Sequence, residues 1–226
     1  MSLIEVKNVS YTYQGKYQKI DAIKNVSCTF NNGKLYALKG ASGSGKTTLL
    51  SLLAGLDLPT EGTISYKGLL YNKSNVEKLR RCNISIIFQS FNLFPLLTAA
   101  ENVMYPIQLL GKSANEAKER AFELLKNMGL KEDQFKKYPA MFSGGEQQRI
   151  AIARALASGA EIILADEPTG NLDSENGQMI LDIFKNLIVK ENYCVILVTH
   201  DINIAEQADV LYNLKDGRLF EKGILK

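Results

Sequence analysis

The segment from Gly40 to Thr47 constrains this chain most, because it reads G-A-S-G-S-G-K-T and matches the pattern G-x-x-x-x-G-K-[ST]. A short apolar run, Leu35 to Leu38, precedes it as a buried strand would. Strand, glycine turn and helix in this order are the context that a phosphate-binding loop requires, and they argue against a flexible turn that matches by chance. The helix is predicted by leucines at helical spacing and by the residues that end it: Leu49, Leu50, Leu52, Leu53 and Leu56, then Gly55, Asp57 and Pro59.

The physical reason for this pattern is access to the backbone. Glycine lacks a Cβ, so consecutive amides can curl around phosphate oxygens, and the helix that begins near Lys46 points its positive end at the same place. The Lys46 ammonium would reach the β- and γ-phosphates, and the Thr47 hydroxyl would ligate Mg²⁺. We therefore predict nucleotide contacts from Gly40, Ala41, Ser42, Gly43, Ser44, Gly45, Lys46, Thr47 and Thr48.

Composition argues against several other classes of protein. The 226 residues are 46% hydrophobic and 23% charged, as in a globular protein with a substantial core. The formal net charge is +3 and basic residues occur in pairs rather than tracts, so nucleic acid is not an expected partner. The three cysteines, Cys28, Cys82 and Cys194, form no C-x-x-C pair and are expected to be reduced, as in a cytosolic protein. No apolar run approaches the ~18 residues that cross a bilayer, so another chain would supply any membrane spans.

The remaining strands follow from short apolar or alternating runs. Residues 3–33 are predicted to form antiparallel strands that end at a turn, Asn31-Asn32-Gly33. Another short strand is expected from Gly62 to Gly68. Ile84 to Phe88 is a continuous apolar run typical of a buried strand, and it ends at Gln89. An Asp216-Gly217 turn predicts a final hairpin.

Residues 90–142 have the pattern of a helical insertion between two strands. Two capping boxes, Thr98-x-x-Glu101 and Ser113-x-x-Glu116, each precede a helical pattern. Gly111 and Gly129 are suited to the position just after each helix. The two helices are therefore expected to begin at these boxes and to end before these glycines.

A third capping box, Ser143-x-x-Glu146, opens the next helix. A plain helix start explains this serine and glutamate. It leaves unexplained the adjacent pair Gly144 and Gly145, which weakens a first turn unless something must approach the backbone closely. We therefore predict an anion site at this helix N-terminus, with a helix that runs to about Gly159.

Acidic and imidazole side chains follow two further apolar strands. Glu161 to Ala165 ends in Asp166-Glu167, where a P-loop protein would place Mg²⁺ ligation and water activation. Val195 to Thr199 ends in His200, the only histidine in the sequence. A single histidine is more often structural than catalytic, but its place at a strand's carboxyl end favours a position near the γ-phosphate. Asp173 or Ser174 is expected to cap the helix that follows the acidic pair.

Together these segments resemble the nucleotide-binding subunit of an ABC transporter, and the resemblance covers essentially the whole chain. The run S-G-G-E-Q-Q-R is its most specific signal, because it separates ABC ATPases from other P-loop proteins. The family's elements occur in the expected order: Walker A (Gly40 to Thr47), Q-loop (Gln89), signature (Ser143 to Gln147), Walker B (Ile162 to Asp166), catalytic Glu167, D-loop (Asn171 to Asp173) and switch His200.

The resemblance implies an α/β fold of the P-loop NTPase class, in one ABC ATPase domain over residues 1–226. Residues 1–89 and 143–226 would form a RecA-like core with a mainly parallel sheet and an N-terminal antiparallel β-subdomain. Residues 90–142 would form the helical subdomain. Phe142 stands where the signature usually begins with leucine; because the change is apolar for apolar, we expect function to survive and the helical insertion to pack differently. Glu146 replaces the commoner glutamine of the signature, a variant that this branch of the family also has.

The resemblance also implies roles for individual residues. Glu167 would orient or deprotonate the attacking water, Lys46 would offset charge on the transferred phosphoryl group, and His200 would contact the γ-phosphate. Thr47 and Gln89, and Asp166 through water, would hold Mg²⁺. Tyr13 would stack on adenine, with Tyr11 as the alternative; by strand pattern alone either would be a half-buried tyrosine. A second copy of the chain would complete each ATP site with the residues Ser143, Gly144, Gly145, Glu146 and Asp173.

The implied function is an ATPase that drives a membrane permease, as a head-to-tail dimer around two ATP. The segments FQSFNLFPLLTAAENV and LADEPTGNLD are similar to the ATPases of lipoprotein-releasing, macrolide-exporter and peptide-exporter systems. The permease would dock near Gln89 to Val103 and hold the subunit on the cytoplasmic face of the membrane. A soluble ABC protein of DNA repair, chromosome structure or translation, and a nucleotide-binding regulator without turnover, are the competing classes.

Overall fold

The computed structural model describes residues 2–15 and 18–224, with side chains as far as Glu221. The strands are β1 Ile4–Gln14, β2 Lys19–Phe30, β3 Lys34–Lys39, β4 Glu61–Tyr66, β5 Leu69–Leu70, β6 Ile84–Ile87, β7 Ile162–Asp166, β8 Cys194–Val198, β9 Val210–Lys215 and β10 Arg218–Ile224. The helices are α1 Lys46–Leu53, α2 Val76–Cys82, α3 Ala99–Leu109, α4 Ala114–Asn127, α5 Gly144–Leu156, α6 Ser174–Glu191 and α7 Ile202–Ala205. Two short 3₁₀ turns, Glu132–Gln134 and Pro139–Met141, lie between α4 and α5.

The larger sheet has the strand order β10-β9-β3-β8-β7-β6 and is parallel except for β10. Strand β3 pairs with β8 on one side and with β9 on the other. The register places Asp166 beside Val198, and Val198 beside Leu38. The residues that follow β3, β7 and β8 therefore emerge at one edge of the sheet, where ligands bind in open α/β folds. This architecture confirms the predicted fold class.

The smaller sheet is antiparallel, with the order β2-β1-β4-β5, and contains the N-terminal strands that the sequence predicts. Val26, Cys28 and Phe30 alternate with exposed neighbours on β2, so one face of this sheet is buried. Strand β1 pairs with β2 so that Tyr13 lies opposite Ile20. This pairing places Tyr13 and Ile20 near the edge of the larger sheet at which a ligand would bind.

Two hydrophobic cores share the larger sheet. Successive residues of β8 point to opposite faces: Cys194, Ile196 and Val198 enter the core between the two sheets, whereas Val195 and Leu197 enter the core beneath α5 and α6. Helix α1 packs in the first core and the helices α3 to α6 in the second. Burial on both faces explains why these parallel strands are continuous apolar runs in the sequence.

The helical segment forms as its sequence predicts. Both capping boxes are made: the Thr98 and Ser113 side chains accept the third amide of α3 and α4, and each glutamate accepts from its cap residue. Gly111 and Gly129 adopt φ of +85° and +77° directly after the two helices. Phe142 is buried in the core that α3, α4 and α5 share, so the change from leucine preserves an apolar contact. The division of the chain at residues 90 and 142 stays a prediction.

The structure differs from the sequence prediction at several elements. Helix α2 and strand β5 were not predicted, because seven mixed polar residues and two residues are too short to show a period. Helix α5 ends at Leu156, earlier than predicted, and Gly159 turns the chain with φ +71°. Strand β9 is part of the predicted hairpin and also pairs in parallel with β3, so it extends the core sheet.

Candidate functional site

The loop between β3 and α1 is shaped by its glycines. Gly45 immediately precedes α1 with φ +105°, a conformation that residues with a Cβ rarely adopt. A Cβ at Gly40 would lie 2.3 Å from the carbonyl oxygen of Leu214, so the loop is also pressed against β9. The backbone amides at the start of α1 are thereby exposed at the carboxyl end of β3, as anion binding requires.

The Lys46 side chain lies over its own loop. Its Nζ donates to the carbonyl oxygens of Gly40 at 2.8 Å and of Ala41 at 2.9 Å, and the residue is buried. When a nucleotide binds, its phosphate oxygens would replace these two carbonyl oxygens as acceptors for the Lys46 ammonium. The ammonium is thus held at the centre of the loop before any anion arrives.

A cavity of about 760 Å³ opens at this loop and gathers most of the predicted site. Its walls include the P-loop, the acidic pair and the switch histidine, together with Tyr13. A cavity of this volume is within the range that small-molecule sites occupy, roughly 300–1,000 Å³. The predicted residues that line it are Tyr13, Gly40, Ala41, Ser42, Gly43, Gly45, Lys46, Thr47, Thr48, Asp166, Glu167 and His200.

Several lining residues were missed by sequence reasoning. They come from the β1–β2 hairpin and from the β9–β10 turn, and they form the outer wall of the cavity: Ile20, Asp21, Ala22, Lys24, Asp216 and Gly217. The pairing of Tyr13 with Ile20 is the signal that leads to them, but it depends on a register that the sequence does not specify. Ser44 does not line this cavity; it is buried against the loop, with its hydroxyl 2.5 Å from the position of a Cβ on Gly40.

Tyr13, rather than Tyr11, faces the cavity. Its ring is 44% exposed, and its hydroxyl lies 3.2 Å from Oγ1 of Thr48 at the start of α1. Tyr11 meets Tyr13 edge to face at 4.9 Å and packs against the core between the sheets. Burial, and then the nearby Asp57 carboxylate, raise the pKa of Tyr11 above its usual value. An exposed ring beside the loop is available for stacking, and a packed one is not.

The acidic pair and the histidine meet at the edge between β7 and β8. Burial raises the pKa of the Asp166 carboxyl above its usual value, and the neighbouring Glu167 carboxylate raises it further. The Lys46 ammonium and a hydrogen bond from the Thr47 hydroxyl act in the opposite direction. His200 Nδ1 lies 3.1 Å from Oε2 of Glu167. Glu167 itself has φ +47°, an uncommon value for a glutamate, which marks a strained position of the kind found at functional sites.

Gln89 does not line the cavity in this structure, and its predicted role as a metal ligand stays a prediction. Its Nε2 lies 3.4 Å from Oδ1 of Asn171, and Nδ2 of Asn171 donates to the Gln89 carbonyl oxygen at 3.1 Å. These two bonds hold the exposed Gln89 side chain against the segment that follows the acidic pair. The sequence could not show this, because the partner is 82 residues away.

The signature residues open α5 away from the cavity. The Ser143 hydroxyl accepts the amide of Glu146, and the Glu146 carboxylate accepts the Ser143 amide at 2.9 Å. That backbone bond, more than a 2.8 Å bond from Gln134, lowers the pKa of Glu146. Within the described residues, the first turn of this helix is therefore capped by its own side chains and is not part of the P-loop cavity.

Gly145 and Gly144 differ in what a side chain at each position would meet, and Gly145 is not explained by an approaching anion as predicted. A Cβ at Gly145 would lie 2.3 Å from Oδ1 of Asn176 on α6, so this glycine is required by contact within the chain. A Cβ at Gly144 would make ordinary contacts, the nearest at 3.5 Å to Leu172. Of the pair, Gly144 is therefore the position where a methyl group would fit without a clash.

Asp173 is the cap of α6, which decides between the two predicted candidates. Its Oδ1 accepts the amide of Asn176 at 2.8 Å, and this bond lowers the pKa of the Asp173 carboxyl. Like the signature, Asp173 lies outside the P-loop cavity. The structure thus divides the predicted site into two groups: one lines the cavity, and the other lies outside it, at the starts of α5 and α6.

The donor set at the cavity suits a magnesium ion. The Thr47 hydroxyl and the Asp166 carboxylate are hydrogen-bonded neighbours, and both offer the hard oxygen ligands that Mg²⁺ prefers. Over residues 2–15 and 18–224, no group of three or more His, Cys, Asp or Glu side chains is arranged to hold a metal. Mg²⁺ is commonly bound by one or two protein oxygens together with substrate phosphates, so this sparse set fits.

Known proteins resemble this chain over nearly its whole length. The sequence profile of the ABC transporter family matches residues 23–170. The uncharacterized ABC transporter ATP-binding protein YclH of Bacillus subtilis is 40% identical over 217 residues, which are 96% of this chain and 95% of that protein. The macrolide export ATP-binding/permease protein MacB of Mannheimia succiniciproducens is 42% identical over 98% of this chain, which corresponds to 34% of that longer protein.

Solved structures agree with the sequence relatives. The uncharacterized ABC transporter ATP-binding protein MJ0796 of Methanocaldococcus jannaschii is 43% identical over 96% of this chain and 95% of its own length. The structure described as a dimeric post-hydrolysis state of the ATP-binding cassette MJ0796 bound to ADP and Pi has a TM-score of 0.90 to this chain. It is 41% identical and covers 99% of both chains.

Proposed function

Because this chain belongs to the ABC transporter family of ATP-binding proteins, we propose that it is the ATP-hydrolysing subunit of a transporter and works as a dimer around ATP. The observation that carries the proposal is the division of the site. The cavity presents a P-loop, two acids and a histidine, while the start of α5 presents an exposed helix N-terminus elsewhere on the same chain. A head-to-tail pair would bring the two halves together.

The division has a physical advantage. A P-loop contacts one side of a triphosphate, and a second helix N-terminus would enclose the γ-phosphate with exposed amides and exclude water. Gly144, where a Cβ would meet no atom closer than 3.5 Å, and the exposed Ser143 begin that N-terminus. The relative MJ0796 has been described as a dimer bound to ADP and Pi, which supports this arrangement for the present chain.

Within such a site, the residues of this chain divide the work by position. Lys46 would exchange its two carbonyl partners for phosphate oxygens and place its charge at the transferred group. Glu167 would orient or deprotonate the attacking water, and His200, in contact with Glu167, would reach the γ-phosphate. The exposed ring of Tyr13 would stack on the base. Mg²⁺, when bound at Thr47 and Asp166, would supply charge neutralisation between the β- and γ-phosphates.

The role of Glu167 can be tested with one substitution. Glu167→Gln keeps the shape of the side chain but removes the base, so the variant should bind ATP, hydrolyse it very slowly and accumulate as an ATP-bound dimer in size-exclusion chromatography. Glu123→Gln on α4, where Glu123 pairs with Arg120 at the surface, is the matched control and should behave as wild type. Wild-type turnover in Glu167→Gln would remove Glu167 from its role.

The permease is proposed to dock at a groove of about 310 Å³ between the core sheet and the helical segment. Phe94 forms part of the predicted 89–103 surface here, and Leu96 beside it is 86% exposed. The remaining walls lie outside the predicted range: they come from α2, the end of α3 and α5, and they contribute Arg80, Arg81, Tyr105, Leu109, Leu110 and Arg154.

The chemistry of this groove fits a permease segment that combines apolar side chains with a carboxylate. Arginines line it with apolar residues, and no acidic residue is among its lining. Permeases of this family are separate chains or, as in MacB, part of the same protein, and no helix in the described part of this chain meets the requirements for a membrane span. Docking would hold the subunit on the cytoplasmic face of the membrane, and the resemblance to the macrolide exporter favours export.

Crosslinking tests the docking surface. With Leu96→Cys as the crosslinking site in membranes that contain the whole transporter, a permease adduct is expected. Arg81→Glu should reduce the yield of that adduct because it opposes a carboxylate, whereas Arg120→Glu on α4 should not. A Leu96→Cys variant that never traps a permease would exclude docking at this groove.

A further inference from the structure

The paired amides of Gln89 and Asn171 connect two segments that the proposed mechanism treats separately. Gln89 follows β6, and Asn171 follows the acidic pair by four residues. Asn171 uses both ends of its amide on Gln89: its Oδ1 faces the Gln89 Nε2 at 3.4 Å, and its Nδ2 donates to the Gln89 carbonyl oxygen at 3.1 Å. The side-chain oxygen of Gln89, which a cation would prefer, takes no part in this pair.

Gly170 makes room for the pair. A Cβ at this position would lie 2.8 Å from Nε2 of Gln89, so any larger residue would push the glutamine side chain away. The same segment is bent by two turns, in which Gly170 donates to the Glu167 carbonyl oxygen and Leu172 to that of Thr169, each at 3.0 Å. The amide that holds Gln89 is therefore fixed in position relative to Glu167.

The chain after Gln89 is also fixed. Phe91 and Asn92 have φ of +60° and +49°, uncommon values for such residues, and Arg154 donates to their carbonyl oxygens at 2.9 Å and 2.6 Å. Because this turn is clasped from α5, the freedom that remains at Gln89 is mainly in its side chain. In this structure its Nε2 faces Asn171, and the side chain does not line the nucleotide cavity.

We infer that Asn171 is a positioning residue that holds Gln89 out of the nucleotide site until nucleotide binds, and that binding exchanges one partner for the other. The inference rests on the proposed function, because it requires Gln89 to act at that site. The exchange also frees Oδ1 of Asn171, and the backbone oxygen of the same residue lies 3.9 Å from the position of a Cβ on Gly144, at the start of α5. Nucleotide in one chain would thus change the surface that the second chain meets.

The test measures affinity rather than turnover. A fluorescent, non-hydrolysable ATP analogue is titrated with Mg²⁺ into wild type, Asn171→Ala, Gln89→Ala and the double variant, at concentrations where the protein is monomeric. Asn171→Ala removes the partner that competes for Gln89, so this variant should bind the analogue about fivefold more tightly than wild type. A change of about fivefold is the size expected for one net hydrogen bond. In the Gln89→Ala background, Asn171→Ala should have no effect.

A second variant and a control make the result decisive. Gly170→Ala should reproduce the tighter binding with Asn171 intact, because its Cβ displaces the Gln89 amide. Asn127→Ala, an exposed amide at the end of α4, should match wild type. Equal affinities for wild type and Asn171→Ala, or an Asn171→Ala effect that persists without Gln89, would overturn the inference alone. Failure of the wild type to bind the analogue would overturn the proposed function with it.

Discussion

Gly145 gives the sharpest test of how α5 is built. Replacing it with alanine adds one methyl group, which would lie 2.3 Å from Oδ1 and 2.8 Å from Cγ of Asn176 on α6. Asn176 is held in place because its Nδ2 donates to Asp173 at 2.7 Å and its amide is capped by the same side chain. The methyl group therefore has no soft neighbour, and either helix α5 or the α6 cap must move.

Two effects of opposite sign set the magnitude. Overpacking of this kind costs about 1–3 kcal/mol. Against it, alanine loses less backbone entropy than glycine in a helix, a gain of roughly 0.5–1 kcal/mol. The balance is a loss of about 0–2.5 kcal/mol, and its midpoint of about 1.3 kcal/mol lowers Tm by roughly 3–5 °C at ~2–4 °C per kcal/mol for a chain of this size.

The assay is thermal unfolding of a double-mutant cycle. In an Asn176→Ala background the nearest remaining contact is Cβ at 3.3 Å, so Gly145→Ala should lower Tm by less than it does in the wild-type background. Gly144→Ala is the matched control, because its methyl group meets nothing closer than 3.5 Å. It should leave Tm unchanged or higher, yet weaken the proposed ATP-bound dimer by adding a methyl group to the helix N-terminus that would face the γ-phosphate. A stabilising Gly145→Ala in wild-type Asn176 would refute the packing argument.

Three further outcomes follow from the same structure. The capping contacts lower the pKa of Glu146 in the folded state, so its stabilisation is present above the unfolded value of about 4.3 and is lost as pH falls through the folded value; Glu146→Gln should flatten the acid side of a Tm-against-pH curve, and an unchanged curve would contradict this. Burial raises the pKa of Cys28 and Cys194 to about 12, so iodoacetamide at about pH 8 should modify Cys82 first and the other two only after unfolding, as mass spectrometry of the peptides would report. Lys46→Ala should abolish nucleotide binding or hydrolysis, and a filter-binding assay with unchanged affinity and rate would contradict the P-loop assignment.

The sequence predicts the core of this fold well because its signals are local. A parallel strand buried on both faces is a continuous apolar run, and a helix start is a capping box, so β3, β8 and α3 to α5 can be found without tertiary information. The shared location of Asp166, Glu167 and His200 can also be predicted from the sequence, because the carboxyl ends of parallel strands meet at one edge of the sheet.

What the sequence does not show depends on contacts between distant residues. The position of Gln89 depends on Asn171, and the need for Gly145 depends on Asn176, in another helix. The outer wall of the cavity at Ile20 to Lys24 depends on a β1–β2 register that shifts at three points. The residue types alone do not determine these contacts or this register, because each residue could pair with a different neighbour.

Arg154 connects three parts of the molecule. It lies on the helix that begins at the signature, it donates to the turn at Phe91 and Asn92, and its guanidinium, 5.7 Å from the ring of Phe94, lines the groove proposed for the permease. A force on that groove would therefore reach both the turn after Gln89 and helix α5 through one planar side chain. A lysine at this position could not hold both carbonyl groups of the turn in the same way, because its charge is a single ammonium on a flexible side chain.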